Sequence, residues 1–275
     1  MKYINRFDTT SEYEAYIQSA EAGNYVSKVE DFTDEYKIAF DKVEQPTPPP
    51  VWAGLTFTAV EPDSTVKFNV YGIYGGEQDE WTAEYSTDGI NWTDAVQVTV
   101  TLSNVGDKVY YRGIQSAEPV LLVVEAPRFT MTGKIAASGS VMSLINNTPE
   151  DNTITYPNAF RELFHDCLSL VEAPEFPATT LTRNAYAQVF YGCENLVEGP
   201  EIMATEMSNY CFSYMFRNCD NLSSVKIHIT DWNTSNASSW LHNVADNGTL
   251  YCPSNCTIPN DSEEGIPTGW TRVNF

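Results

Sequence analysis

Positive charge is scarce in this chain: 15 lysines and arginines stand against 37 aspartates and glutamates, with 3 histidines, for a formal net charge of −22 at pH 7. A surface this acidic repels phosphate backbones and anionic lipid, which argues against nucleic acid and membrane surfaces as partners. Long apolar runs are missing too. LLVVEA, from Leu121, is far shorter than the ~20 residues a membrane-spanning helix needs. MKYINRFDTTSEYEAY carries no apolar core of a secretory signal, so export by that route is not expected. Cysteine is absent from the first 160 residues, and all 6 lie beyond them. What remains is ordinary for a folded protein, 42% hydrophobic and 13% aromatic over 275 residues, with room for two or three small domains.

The most ordered stretch runs from Ala159 to Leu222. AFRELFHDCLSL from Ala159, AYAQVFYGCENL from Ala185 and CFSYMFRNCDNL from Cys211 place Phe164, Phe190 and Phe216 in one column. Cys167, Cys193 and Cys219 form a second column, and Leu170, Leu196 and Leu222 a third, at a constant 26-residue step. A fixed period of this size marks a solenoid, whose units bury their apolar faces only against one another. Phe and Leu fill the space between coils, and Cys is a compact residue often buried, so these thiols read as reduced core residues. Pro174 and Pro200 are expected to turn the chain from a short helical arm into an extended one. Ala237 keeps the 26-residue step, with Ala245 in the Cys column, so the last unit reads as a degenerate cap.

These repeats resemble the BspA-type leucine-rich repeats of surface proteins from gut Bacteroidales and their phages. Phe164-His-Asp-Cys167-Leu-Ser-Leu170 and Phe190-Tyr-Gly-Cys193-Glu-Asn-Leu196 follow that family's pattern closely, whereas Lys226 stands where Pro200 would recur. TGKIAASGSVMSLI before the array and GIPTGWTRVNF after it look like family termini. The opening MKYINRFDTTSEYEAY is similar to N-termini of structural proteins from crAss-like phages. The resemblance implies a short α/β repeat solenoid and an exterior, adhesive role.

In chain order, Ser11 and Glu14 make a capping box and Gly23 a stop, which predicts a helix in which Tyr13, Ile17 and Ala20 share a face. NYVSKVEDF and EYKIAFDKV alternate apolar with polar and predict a hairpin across Thr33-Asp34. This segment of 1–45 is too small to bury much alone, and is expected to dock on a support or to trimerise. QPTPPPV, ending at Val51, predicts a semi-rigid polyproline spacer over 46–51. From Trp52 to residue 128, LTFTAV, STVKFNVYG, EWTAEYS, AVQVTVTL, DKVYYRG and EPVLLVV predict an immunoglobulin-like sandwich. Ser86 to Trp92 looks like an Asp-box hairpin turned at Asp88-Gly89, a structural motif without catalytic implication. The fold class expected is therefore mainly β: a helix-hairpin segment at 1–45, the sandwich over 52–128, and the repeat domain with its cap over 129–275.

Catalytic patterns are few. His165 and Cys167 suggest a nucleophile pair, but both are repeat positions, and Tyr191 and Arg217 replace the histidine in later units. His228 reads as an outward strand residue. GIYGGE from Gly72 lacks the Lys-Ser/Thr of a phosphate loop. Glu150, Asp151, Glu162, Glu263 and Glu264 read as solvated acids rather than an acid–base pair. Cys252 and Cys256 in CPSNC are the one pair close enough to bridge or hold a metal. No second pair accompanies them, so a plain loop is preferred and their bridging stays open.

No cofactor and no metal is expected, and no enzyme. The reading is a non-enzymatic virion structural protein, a head fibre or capsid decoration, assembled in the host cytoplasm and displayed on the particle exterior. Residues 1–45 would bind capsid proteins, with a dimer or trimer as the assembled form. A bacterial BspA-like adhesin is the alternative, opposed by the missing signal. Recognition of a host glycan or protein must use residues that vary between units: His165, Asp166, Tyr191, Arg217, Asn218, and the divergent end at Trp232 and Trp240. For the tryptophans, core and end-cap packing is the competing and preferred reading.

Overall fold

A computed structural model describes residues 2–7, 25–33, 35–42, 52–72, 82–113 and 125–275. The chain divides into two compact units, Met1–Val51 and Trp52–Phe275. In the first, β1 (Lys2–Phe7), β2 (Tyr25–Thr33) and β3 (Glu35–Lys42) form an antiparallel sheet in the order β1-β3-β2. β2 and β3 pair antiparallel as a hairpin, but with Thr33 opposite Glu35 rather than within the turn, and with a register shift between Val29 and Asp31. The strand β1 was not expected from the sequence. The helix expected from Ser11 to Gly23 and the proline spacer lie outside the described residues.

The second unit is almost entirely β. Its first part contains β4 (Thr56–Ala59), β5 (Ser64–Gly72), β6 (Ala83–Ser86), β7 (Thr93–Asp94), β8 (Thr99–Leu102), β9 (Lys108–Gly113), β10 (Glu125–Thr132) and β11 (Ile135–Ser138). They join two sheets, one ordered β10-β5-β8, the other running from β11 through β4, β9 and β6 to β7. Rings from both sheets meet in the core: Phe57 of β4 lies 4.8 Å from Phe129 of β10, and Tyr111 of β9 lies 4.9 Å from the same ring. The EPVLLVV segment lies outside the described residues.

The repeats follow without a gap. Strand β11 pairs antiparallel with β4 on one edge and parallel with β12 (Leu170–Glu172) on the other, so one sheet passes into the array. β10 itself spans the boundary expected at 128/129. The only helix among the described residues of this unit, apart from a 3-10 turn at Thr234–Asn236, is α1 (Ser143–Asn146). About three solenoid turns follow, carrying β13 (Glu198–Ile202), β14 (Ser224–Ile227), β15 (Gly248–Cys252) and β16 (Trp270–Asn274) as a parallel four-stranded sheet.

The arm opposite this sheet is not helical, a correction to the α/β reading of the repeat. Asn158, Glu162 and Asp166 have left-handed backbones, as do Asn184, Gln188 and Gly192, and Tyr210, Tyr214 and Asn218. Each fourth residue thus breaks any helix. Between these breaks, Arg161, Leu163, His165 and Cys167 donate their N–H three residues back, while Phe160, Glu162, Phe164 and Asp166 donate to the next coil. An α-helix would spend every N–H within itself. This chain of turns releases every second one for stacking.

The Phe column stacks as expected, at 5.4 Å from Phe164 to Phe190 and 5.3 Å from Phe190 to Phe216. It is longer than the repeats, because Phe129 of β10 lies 5.8 Å above Phe164 and Trp240 closes the far end at 6.2 Å. The thiols of Cys167, Cys193 and Cys219 donate to the carbonyls of Phe129, Phe164 and Phe190 at 3.2, 3.0 and 2.9 Å. Pro200 does not turn the chain. It sits inside β13, where the pairing shifts from Glu198↔Ser224 to Glu201↔Lys226. Proline cannot donate to a ladder and fits such a break. The shift shortens the last step to 25 residues: Phe212 N–H donates to Asn236 where Tyr186 N–H donates to Cys211. Val244 rather than Ala245 therefore takes the Cys position.

Candidate functional site

The outer side of the turn arm is where the repeats differ from one another. The left-handed backbone positions recur from coil to coil, so each coil presents a similar backbone carrying different side chains, of which Asp166, Tyr210 and Tyr214 are exposed. In the first coil the His165 ring is half-buried, and its Nδ1 lies 2.8 Å from Arg128 Nη2 and 2.9 Å from Asp166 Oδ2. Burial, then the Arg128 charge, pushes its pKa down, so the ring is neutral at neutral pH. It stacks on Tyr191 of the second coil at 4.6 Å and 12°. Asn218 of the third coil donates to the Tyr191 hydroxyl at 3.1 Å. The Arg217 guanidinium lies 5.4 Å over the Tyr214 ring. Thus five expected residues, His165, Asp166, Tyr191, Arg217 and Asn218, share one continuous polar-aromatic face.

Trp232 and Trp240 do not belong to it. Trp232 is 7% exposed and Trp240 1% exposed, and their indole N–H groups donate to the carbonyls of Glu264 and Gly265 at 2.8 and 2.6 Å. They close the open end of the core, Trp232 stacking on Phe212 and meeting Trp240 at a tilt of 51°, and both rings are buried. Trp270 is tied to the Ala245 carbonyl at 2.8 Å in the same way.

Two residues missed in the sequence complete the face. Tyr210 is 50% exposed and Tyr214 37% exposed, both with φ of 57°. Their equivalents in the first two coils are Asn158 and Asn184, and Glu162 and Gln188. Tyrosine costs about 1 kcal/mol in this conformation and gains no core packing when its ring faces solvent. The signal was legible as two aromatic breaks in otherwise polar columns.

No family model, curated protein or solved structure matches this chain.

Other chemistry-bearing groups hold the fold together. Cys167 turns its thiol inward to Phe129 while His165 faces outward, so the two do not form a nucleophile pair. A cleft of about 240 Å³ between Leu241–Asn243 and Asp261–Thr268 contains His242 and Glu263. There Ser239 Oγ donates to Glu263 at 2.5 Å and His242 Nδ1 lies 3.3 Å from the same oxygen, which ties the last coil to the cap. His228 and Lys226 both pair with Glu201, at 2.6 and 2.8 Å, and hold its pKa down. Asp88 closes the Ser86–Trp92 hairpin by accepting from the backbone N–H groups of Asn91 and Ile90, which hold its carboxyl well below the usual range. Among the described residues no group of three or more His, Cys, Asp or Glu is placed to hold a metal, and no helix is long and apolar enough to cross a membrane.

Proposed function

We propose that this is a non-enzymatic display protein whose solenoid face binds neutral polysaccharide through the aromatic side chains of its coils. The observation that carries the reading is the exposed pair Tyr210 and Tyr214, both held in a costly left-handed backbone conformation with their rings outside the core. Flat amphipathic rings stack on sugar rings, and the flanking Arg217, Asn218 and Asp166 supply donors and acceptors for hydroxyls. The acidic surface opposes polyanionic ligands. On the resemblance of its repeats and N-terminus, the setting is the outside of a phage particle. There residues 1–45 attach to the capsid, the segment over 52–128 acts as an immunoglobulin-like spacer, and the array faces the host.

The test is binding of the full chain, free and displayed on a multivalent carrier, to host cells and to their isolated neutral polysaccharide. Loss of binding in both formats on replacing Tyr210 and Tyr214, with folding retained, supports the reading. Equal binding by that double variant, or no binding by the parent in either format, defeats it.

A further inference from the structure

Arg128 and His165 join β10 to the first coil of the array. Arg128 donates from Nε and Nη2 to the His165 carbonyl at 3.2 and 2.9 Å, and its Nη2 lies 2.8 Å from the ring Nδ1. Next along the strand, the Phe129 N–H donates to the Leu163 carbonyl at 2.8 Å. Asp166 Oδ2 completes the cluster, 2.9 Å from the same Nδ1 and 3.3 Å from Arg128 Nη2. One ring nitrogen therefore faces both a donor and an acceptor. A guanidinium only donates, so its bond needs a bare Nδ1, whereas an ionised carboxylate only accepts, so its bond needs a proton there. Nδ1 serves Arg128 when the ring is neutral with its proton on Nε2, and serves Asp166 when the ring is charged. Glu162, on the same coil, is the other charged group acting on the ring, and the second coil lays Tyr191 over one ring face. With its side chain 18% exposed, the ring is open to protons from solvent.

We propose that this cluster is a pH-sensitive joint: protonation of His165 transfers Nδ1 from Arg128 to Asp166 and loosens β10 from the first coil. On uptake of a proton the Arg128–Nδ1 bond breaks, Nδ1–H donates to Asp166, and imidazolium and guanidinium face one another as like charges. Arg128 keeps the His165 carbonyl as an acceptor, so the joint weakens without opening. Burial and the Arg128 charge oppose the proton, while Asp166 and Glu162 favour it, and the balance sets the ring below its ordinary 6.5. The folded ring thus binds fewer protons than the unfolded one. Its contribution to stability is full above pH 6.5 and is lost as pH falls below it, toward the folded ring's own pKa. The loss ends there, once the ring is charged in both states. The joint is tight at neutral pH and weakened in mild acid, the range to which histidine responds.

The experiment uses the full chain. The His165 ring, assigned by NMR through its contact with Tyr191, is followed between about pH 8 and pH 5, the span around the ordinary histidine range. It is expected to carry its proton on Nε2 at the upper end and to titrate below 6.5. Amide exchange, corrected for the intrinsic effect of pH, is expected to show the protection of the Phe129 N–H falling severalfold across that titration. His165→Asn offers Arg128 an amide oxygen that takes up no proton, and is expected to keep the protection at Phe129 and to abolish its fall. Asp166→Asn, which removes the acceptor of the charged ring, is expected to lower the ring pKa further, a readout that does not depend on the first variant folding. A proton on Nδ1 of the neutral ring, a titration at or above 6.5, or a ring pKa unmoved in Asp166→Asn overturns the exchange of partners. Unchanged protection at Phe129 through the titration, or the same fall in His165→Asn, overturns the joint.

Discussion

Tyr210 occupies a left-handed position that the first two coils give to Asn158 and Asn184, the residue type that best tolerates it after glycine. Tyr210→Asn should therefore stabilise the protein by about 1 kcal/mol while weakening binding to neutral polysaccharide. Denaturant midpoints and calorimetric titration read the two effects separately, and a variant that loses stability would show that the ring packs. The buried thiols make a different prediction. Burial raises Cys167 and Cys211 from 9.0 to about 12 and pushes Cys193 well up, so these groups stay protonated in the folded chain. The unfolded chain releases those protons from about pH 9, and stability is full below that pH and falls between about 9 and 12. Cys193 should resist alkylation at pH 8 until denaturant is added. Cys193→Arg should unfold the array, since it would bury an unpaired charge.

At the scale of elements, β10 does two jobs. It pairs with β5 along eight residues from Glu125 to Thr132, and its Phe129 begins the Phe column. Phe129→Ala should cost about 3–5 kcal/mol and lower the melting of residues 52–275 as one transition. Two separated transitions by calorimetry would mean that the two-sheet region and the array are independent. The sequence held much of the array but little of this coupling. The 26-residue columns were legible because Phe, Cys and Leu each have a repeated neighbour at a fixed distance. Phe129 was not, since it joins the column from 35 residues before Phe164, outside the repeat. The turn arm was misread for a physical reason: apolar residues three and four apart fit a helix as well as a run of turns. Only the Asn158/Asn184 and Asp166/Gly192/Asn218 columns announce the left-handed breaks. For the candidate face, copy-to-copy variation picked out five residues that lie together on the outer side of the turns, whereas it also picked out Trp232 and Trp240, whose rings are buried.

For the whole molecule, the net charge of −22 sets the conditions under which the proposed adhesion could work. Copies displayed side by side repel one another, and each also repels the acidic components of a bacterial surface. These forces act over a Debye length of about 30 Å at 0.01 M salt and about 8 Å at 0.15 M. Ring stacking on neutral sugars depends little on salt. Adhesion of a multivalent display to host cells should therefore strengthen as salt rises through this range, while binding of the free chain to isolated neutral polysaccharide stays nearly constant. A polyanion-binding protein shows the opposite trend, because neutralising fixed charges releases counterions. Cell adhesion that weakens steadily with salt would place the contact on the few cationic residues, Arg217 and Arg128 among them, and not on Tyr210 and Tyr214. If residues 1–45 attach the chain as proposed, removing them abolishes the avidity of many displayed copies. Since Trp52–Phe275 is a compact unit of its own, a chain lacking residues 1–51 should remain folded by circular dichroism and bind polysaccharide as a monomer. It should fail both to join particles and to adhere to cells.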